Sequence, residues 1–166
     1  DATGNVSGPV SAETRQVVEK VDSLIGVLRR RLAALPASRR INLIVVSDHG
    51  MGTISKDRYL NLQDIIQERL VKRISGSSPV YLLEPAQGKK DSVLKLVNSV
   101  KGLKAWSKDN LPGHMHYGTN PRIPEIIIIP DSSWMIDIRP MPPVIKLGAH
   151  GYDNSNTDMH AIFYAA

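Results

Sequence analysis

The chain contains the run Ile41-Asn42-Leu43-Ile44-Val45-Val46-Ser47, followed directly by Asp48-His49-Gly50-Met51-Gly52, and this segment is the strongest indication of its fold. The apolar, β-branched run predicts a strand buried on both faces of an α/β sheet. Because neighbouring strand residues point to opposite faces, Asp48 and His49 can converge on one point only if the strand ends before them. The two glycines supply the backbone freedom for that break. Since open α/β sheets bind ligands at the carboxyl ends of their strands, the pair predicts half of a metal site.

Two further motifs stand far from this one in the chain. The first is Asp1-Ala2-Thr3-Gly4-Asn5-Val6-Ser7-Gly8-Pro9, and the second is Gly148-Ala149-His150-Gly151-Tyr152-Asp153-Asn154, extended by Met159, Ala161, Ile162 and Phe163. These two motifs and Ser47-Asp48-His49-Gly50-Met51 together make the chain resemble the type I phosphodiesterase/nucleotide pyrophosphatase family of the alkaline phosphatase superfamily. That family carries D-x-x-G-H-x-x-G-P, S-D-H-G-M and G-x-H-G-Y-D-N-x-x-x-x-M-x-A-I-F in this order. His116-Tyr117, Asn120 and Arg122-Ile123 match a further family stretch, so the resemblance spans nearly the whole chain.

The resemblance implies an alkaline phosphatase-like α/β fold, with a largely buried sheet flanked by helices, and a site for two divalent metal ions, with zinc favoured. One metal would be held by Asp48 and His49, together with an Asp and a nucleophilic Thr that the family carries earlier in its sequence. The other would be held by Asp1 and His150, with Asn5 at the position where the family has a third ligand, His. A neutral amide oxygen binds zinc more weakly than imidazole does, so we expect this half of the site to have a lower zinc affinity.

The family's nucleophilic Thr and its companion Asp precede the motif that begins at Asp1. We therefore expect residues 1–166 to be the C-terminal portion of a catalytic domain, with no catalytic residue of its own and no activity alone. Its partner would be the N-terminal half of the same domain. The implied reaction is hydrolysis of a phosphodiester or pyrophosphate bond in a small phosphate ester, with a nucleotide or a lipid head group. The alternatives are a non-catalytic binding relative that has lost the ligand at Asn5, or a phosphomonoesterase or phosphonate hydrolase of the same superfamily.

Composition limits the other classes of function. The 166 residues have the length of one domain, and 42% hydrophobic with 22% charged residues is ordinary for a globular chain. No apolar run approaches the about 20 residues that a membrane span needs. The net charge of +5 is scattered over clusters such as Arg29 to Arg31, Arg39-Arg40 and Lys89-Lys90, which favours solvated surfaces over a dedicated nucleic-acid site. The absence of cysteine excludes disulfides and thiolate metal sites, and it favours a periplasmic or secreted bacterial protein over a disulfide-rich animal ectoenzyme.

Periodicity and breakers predict the elements around the motifs. A helix over 12–35 follows a Ser11 N-cap and ends at Pro36, with an apolar stripe of Val17, Val21, Leu24, Leu28, Leu32 and Leu35. Further helices are predicted over 61–66 and 91–100, and strands over 79–83, 105–107, 125–130, 134–138 and 161–164. A connector with Pro140, Pro142 and Pro143 leads to His150. The stretch 79–124 is interpreted as a small inserted subdomain, built on a strand-helix-strand core, that covers the substrate cleft; simple packing is the alternative.

Four further polar residues are weighed individually. Asp153 and Asn154 follow His150, and we expect them either to orient its ring or to pin its loop. His114 and His116 are assigned to a loop without a metal role, because no carboxylate is near them in the sequence.

Overall fold

The structure, a computed structural model, describes residues 1–36, 41–142 and 144–165. Arg39, Arg40 and Pro143, which the sequence analysis named, lie outside the described residues. The α-helices of the described part are α1 (Ala2–Ser7), α2 (Ala12–Ala33), α3 (Leu62–Ile65) and α4 (Lys90–Asn98). Its strands are β1 (Ile44–Val46), β2 (Gly52–Thr53), β3 (Tyr59–Asn61), β4 (Val71–Ser77), β5 (Val80–Pro85), β6 (Leu103–Ser107), β7 (Ile126–Pro130), β8 (Met135–Asp137), β9 (Gly148–Ala149) and β10 (Phe163–Ala165). The mixed α/β architecture is the one that the sequence predicts.

The largest sheet is an antiparallel four-stranded sheet in the order β4-β5-β7-β6. Its core is closed by α4, whose Val93 and Val97 are fully buried against the central strands. The run Ile126 to Ile128 in β7 is also fully or almost fully buried, as expected for a strand between two neighbours. The predicted strand-helix-strand elements are present as β5, α4 and β6. The sheet that contains them also includes β4 and β7, and the boundaries 79–124 of an inserted subdomain stay a prediction.

A second, smaller core lies beneath the short antiparallel pair β2–β9. It consists of Ile54, Ile145, Ala149, Tyr152 and Met159, with Met135 packed against it. Because β9 runs directly into His150, a predicted metal ligand, the residues of this core set the position of that ring.

The long helix α2 begins as predicted but does not bury its apolar stripe. The Ser11 hydroxyl accepts a hydrogen bond from the Thr14 backbone N–H at 3.1 Å, which caps the first turn. No residue of α2 is buried, however, and Leu24 is 60% exposed. Within the described residues, no other segment buries this apolar stripe, although such a stripe is suited to packing against another part of a protein.

The prediction that 41–47 forms a strand buried on both faces is wrong in this structure. The strand is limited to Ile44–Val46, and Ile44 and Val46 are 58% and 60% exposed. The physical reason is that β1 pairs only with β10 among the described residues, and β10 is exposed along its whole length. With one neighbouring strand, the apolar faces of β1 remain uncovered.

Membrane-spanning potential concerns the helices of residues 1–36, 41–142 and 144–165. None of their helices combines the length and the apolarity that crossing a bilayer requires.

Candidate metal centre

The turn after β1 is fixed by a close backbone contact at Gly50. Its N–H donates to the Met159 carbonyl at 3.0 Å, and a Cβ at this position would run into the carbonyl oxygens of Asp158 and His160. Only glycine allows this approach. The chain therefore leaves the strand at the predicted place and presents Asp48 and His49 beyond its end.

The proton position on His49 is set by its neighbour. His49 Nδ1 lies 2.7 Å from the Gly50 carbonyl oxygen, and because a carbonyl can only accept, Nδ1 carries the hydrogen. The lone pair is then on Nε2, the tautomer that a metal ligand needs. An exposed Asp48 oxygen lies 3.5 Å from this Nε2. The backbone N–H of Asp48 itself lowers the pKa of its carboxyl, and the imidazoles of His49 and His150 add to the effect.

His150 follows β9 and lies against His49. The two imidazole rings are stacked, with centroids 3.8 Å apart and planes 15° from parallel. Asp1 Oδ2 lies 3.7 Å from His150 Nε2 on the other side. Burial above all, and then the neighbouring His49, lower the pKa of His150. The neutral form of the imidazole is thereby favoured, which is the form that binds metals.

Asp1, His49 and His150 together have the composition of a cation site. One ligand atom from each lies within 4.8 Å of the other two. Because zinc bonds are about 2 Å long, ligands of one ion lie at most about 4 Å apart, so the three atoms need to move by less than about 1 Å. Two imidazoles and a carboxylate suit zinc. A cavity of about 220 Å³ beside them is lined by Asp1 and His49 together with Thr3 and Thr14.

Asp1 reaches this point because α1 lies directly against β9. The Leu147 N–H donates to the Asn5 carbonyl at 2.9 Å, and Gly148 has no room for a side chain because a Cβ there would collide with the Gly4 carbonyl oxygen. Asn5 N–H bonds the Asp1 carbonyl at 2.9 Å, so Asn5 lies one helical turn beyond Asp1. Residues spaced by four share a helix face. Asn5 therefore leaves α1 on the side that carries Asp1.

The structure brings the predicted ligands together but does not divide them as the resemblance implies. His49 groups with Asp1 and His150, whereas the expected division places it with Asp48. Asp48 is next to His49 yet lies outside the three-residue cluster. The role of each of these residues as a ligand stays a prediction.

Asp153 and Asn154 make their contacts away from the imidazole of His150. Asp153 Oδ1 accepts hydrogen bonds from the backbone and hydroxyl of Ser155 and lies 2.8 Å from His114 Nε2, and Asn154 Nδ2 donates to the His114 carbonyl. Of the two predicted roles, these contacts fit the pinning of the loop. Sequence reasoning missed His114, because its partner is 39 residues away and no local pattern connects them.

Comparison with known proteins identifies the family. A sequence model described as "Type I phosphodiesterase / nucleotide pyrophosphatase" matches residues 1–153. The chain is 36% identical over 166 residues to the bis(5'-adenosyl)-triphosphatase ENPP4 of Homo sapiens, covering 99% of this chain and 36% of that protein. It is 34% identical to human ectonucleotide pyrophosphatase/phosphodiesterase family member 5, covering 99% and 34%. The chain thus spans about a third of the length of the curated relatives it matches.

Solved structures agree with the sequence match. The chain superposes on murine ectonucleotide pyrophosphatase/phosphodiesterase 5, in an inactive threonine-to-alanine variant in complex with AMP, with a TM-score of 0.87 and 34% identity. The human counterpart gives 0.85 and 32%. Both alignments cover 99% of this chain and 44% of the other, and they confirm the predicted fold class. The chain belongs to the type I phosphodiesterase/nucleotide pyrophosphatase family.

Proposed function

We propose that the complete protein is a metal-dependent hydrolase of phosphodiester or pyrophosphate bonds and that this chain supplies part of its metal centre. The observation that carries the proposal is the convergence of Asp1, His49 and His150 from three distant segments onto one point. A single carboxylate near a histidine is common on protein surfaces. Two stacked imidazoles, one with its tautomer fixed for metal binding, and a carboxylate are much more specific.

The proposed site takes two divalent ions, with zinc favoured. Asp1 and His150, with Asn5 beside them, would hold one ion, and Asp48 and His49 would hold part of the other. When bound, such ions supply the positive charge that stabilises the phosphoryl oxygens and favours ionisation of the nucleophile. The chain's own contribution is orientation: the Gly50 carbonyl fixes the His49 ring, and the contact of α1 with β9 fixes Asp1 beside His150.

The nucleophile is proposed to be a threonine in the rest of the catalytic domain. Its oxygen displaces the leaving group from phosphorus, and water then releases the phosphoryl or nucleotidyl group. The inactivity of the threonine-to-alanine variant of murine ENPP5 supports this role, and the AMP bound to that variant supports a nucleotide as substrate. A lipid phosphodiester is the other substrate class that the family resemblance allows.

The rest of the domain is also the proposed partner for the exposed apolar surface. That surface comprises β1, β10 and the outer face of α2, where Phe163 and Tyr164 are 70% and 73% exposed. Exposed contiguous apolar area of this kind marks an interaction surface. The chain matches only 36% of human ENPP4, which leaves ample sequence to cover it.

Hydrolysis of the p-nitrophenyl ester of thymidine 5'-monophosphate by the complete polypeptide tests the function. We expect turnover that is abolished by a chelator and restored by zinc, together with much slower release from p-nitrophenyl phosphate. A reversed preference would favour the phosphomonoesterase alternative. The isolated 166-residue chain should be inactive in the same assay, and turnover by it would contradict the placement of the nucleophile.

A non-catalytic binding protein is the second candidate, and Asn5 is the observation that favours it. The residue lies on the Asp1 side of α1, where the family carries a histidine, and an amide is a weaker zinc ligand. A complete polypeptide that binds AMP but hydrolyses neither ester would support this candidate.

A further inference from the structure

We infer that His114 is a positioning residue that clamps the segment after His150 and thereby holds the His150 ring beside His49. The clamp consists of His114, Asp153 and Asn154. The inference rests on the proposed function, since it assigns His114 a part in keeping the metal centre assembled. His114 does not itself contact Asp1, His49 or His150 in the cluster, so its effect is exerted through the backbone of residues 151–154.

Two contacts form the clamp. His114 Nε2 lies 2.8 Å from Asp153 Oδ1, and Asn154 Nδ2 donates to the His114 carbonyl oxygen at 3.1 Å. The Asp153 oxygen is aimed by Ser155, whose backbone N–H and hydroxyl donate to it at 2.8 and 2.7 Å. Burial would raise the pKa of Asp153, but the hydrogen bonds from Ser155 and His114 outweigh it and lower the pKa. The carboxylate is therefore charged and ready to accept from the imidazole at neutral pH.

The loop that presents His114 is itself held firmly. It follows β6 and returns to β7, and its base is closed by the bond from the Lys108 N–H to the Glu125 carbonyl at 3.0 Å. Gly118 has a φ of +111°, and a Cβ there would run into the Lys108 carbonyl oxygen. His116 adopts a left-handed φ of 47° at the end of the turn Gly113–Met115. These contacts tie the loop to the end of β6 and the start of β7.

The segment after His150 contacts three other parts of the fold at successive residues. Gly151, at a φ of +94°, would place a Cβ 3.4 Å from the ring of Pro79, so it faces the turn between β4 and β5. The Tyr152 hydroxyl donates to the Trp134 carbonyl at 2.8 Å, just before β8. Asp153 and Asn154 then meet His114. His150 thus lies between two restrained segments: β9, which is paired to β2, and residues 151–154, which contact Pro79, Trp134 and His114.

The His114–Asp153 pair is exposed, so its effect on the position of the segment after His150 can be measured apart from its effect on global stability. The His114 and Asp153 side chains are 44% and 30% exposed. Exposed ion pairs contribute little to global stability. Loss of the clamp should therefore leave the unfolding transition nearly unchanged while it loosens residues 150–156. A looser segment lowers zinc affinity, because it must be ordered again when the metal–ligand distances are fixed to within about 0.2 Å.

Three variants of the complete polypeptide test the clamp. In His114→Asn the side chain is too short to reach Asp153, whereas in His114→Gln the amide nitrogen extends to about the place of the imidazole Nε2. His116→Asn is the matched control, because asparagine tolerates a left-handed φ and no side-chain bond of His116 is recorded within the described residues. Zinc affinity is measured by competition with a chromophoric chelator, and the amides of residues 150–156 by hydrogen exchange.

We expect His114→Asn to weaken zinc binding about tenfold, the lower end of what lost outer contacts cost metal sites. The same variant should exchange faster over residues 150–156 and elsewhere behave as the unmodified protein. His114→Gln should stay within about twofold in affinity, and His116→Asn should show no change. The clamp is overturned if His114→Asn matches His116→Asn in exchange or in affinity, or if His114→Gln loses as much as His114→Asn.

Failure of the proposed function has a different signature. The unmodified polypeptide would then bind no zinc, which would overturn the metal-centre role of His114. Faster exchange after His150 in His114→Asn, reversed in His114→Gln, would still support the clamp itself.

Discussion

The contact of α1 with β9 is the part of the candidate metal centre most sensitive to a single methyl group. Gly148→Ala would place a Cβ 2.7 Å from Met51 Sδ and closer still to the Gly4 carbonyl oxygen. Ordinary contact begins at 3.4 Å, so the longer approach, to Met51, falls short by 3.4 − 2.7, or about 0.7 Å, and the approach to the Gly4 carbonyl oxygen falls short by more than that. The methionine can turn away, but the backbone carbonyl of α1 can move only with the helix. Because α1 carries Asp1, the carboxylate would leave its place beside His150.

The magnitude follows from the tolerance of metal sites. Because metal–ligand distances are fixed to within about 0.2 Å, an Asp1 carboxylate moved by more than about 0.7 Å, in addition to the adjustment that the site already requires, should cost zinc affinity at least tenfold. Overpacking should in addition destabilise the fold by about 1–3 kcal/mol. We therefore expect Gly148→Ala to remain folded without denaturant, as judged by circular dichroism, and yet to bind zinc poorly. Chelator competition measures the affinity, and urea unfolding measures the stability.

Two other glycines provide graded controls. A Cβ at Gly4 meets only Met51, whose Sδ would be 2.8 Å away at the end of a flexible side chain, so Gly4→Ala should have a smaller effect. Among the described residues, a Cβ at Gly113 has no neighbour within 4 Å, and Gly113→Ala should change neither property. Zinc affinity in Gly148→Ala equal to that of Gly113→Ala would refute the reasoning that α1 must lie directly on β9 for the site to form.

Three further predictions concern single side chains. Burial raises the pKa of Tyr152 to about 12 from 10.0, so the free energy of unfolding is unaffected by this group below pH 10 and falls as pH rises towards 12, by about 1.4 kcal/mol at pH 11. In urea unfolding, Tyr152→Phe should be about 1 kcal/mol less stable at pH 8, because the bond to Trp134 is lost, and should not show this alkaline decrease. Asn5→His should tighten zinc binding at least tenfold in chelator competition, and unchanged affinity would contradict its place in the site. Burial acts to raise the pKa of Asp137, but hydrogen bonds from Arg139 and Tyr81 outweigh it and lower the pKa. The carboxylate therefore stabilises the fold above about pH 4, and this stabilisation is lost as pH falls through the pKa of the folded state. Asp137→Asn should flatten the acid side of a plot of melting temperature against pH, and an unchanged acid side would argue against this.

Local sequence predicted the elements that local chemistry specifies. The Ser11 cap and the start of α2 are found where predicted, since a cap needs only the three residues that follow it. The same is true of the buried run Ile126 to Ile128 in β7. The burial of β1 was mispredicted, because β-branched composition shows that a strand is suited to the interior but not which segments cover it. In the described residues only β10 pairs with it.

The candidate site was predictable where a motif carries its own geometry and not where distant segments meet. Gly50 signalled the turn that presents Asp48 and His49, and the structure shows the close carbonyl approach that requires it. The helix α1 was missed because six residues give no readable periodicity. The bond between His114 and Asp153 was missed because the sequence around one residue gives no indication of the other. They meet only because the loop between β6 and β7 packs against the loop after β9.

The arrangement of the candidate ligands gives Asn5 more weight than its half-buried position suggests. His49 Nε2 lies 3.5 Å from Asp48 Oδ2, and His49 also belongs to the cluster with Asp1 and His150, so this imidazole is within reach of both halves of the proposed centre. If His49 serves the half that contains Asp48, Asp1 and His150 retain only the amide of Asn5 as a third ligand. A third imidazole at that position would let His49 be used by the other ion without loss. In the proposed centre, the identity of residue 5 would therefore determine whether the two halves compete for His49 or fill independently.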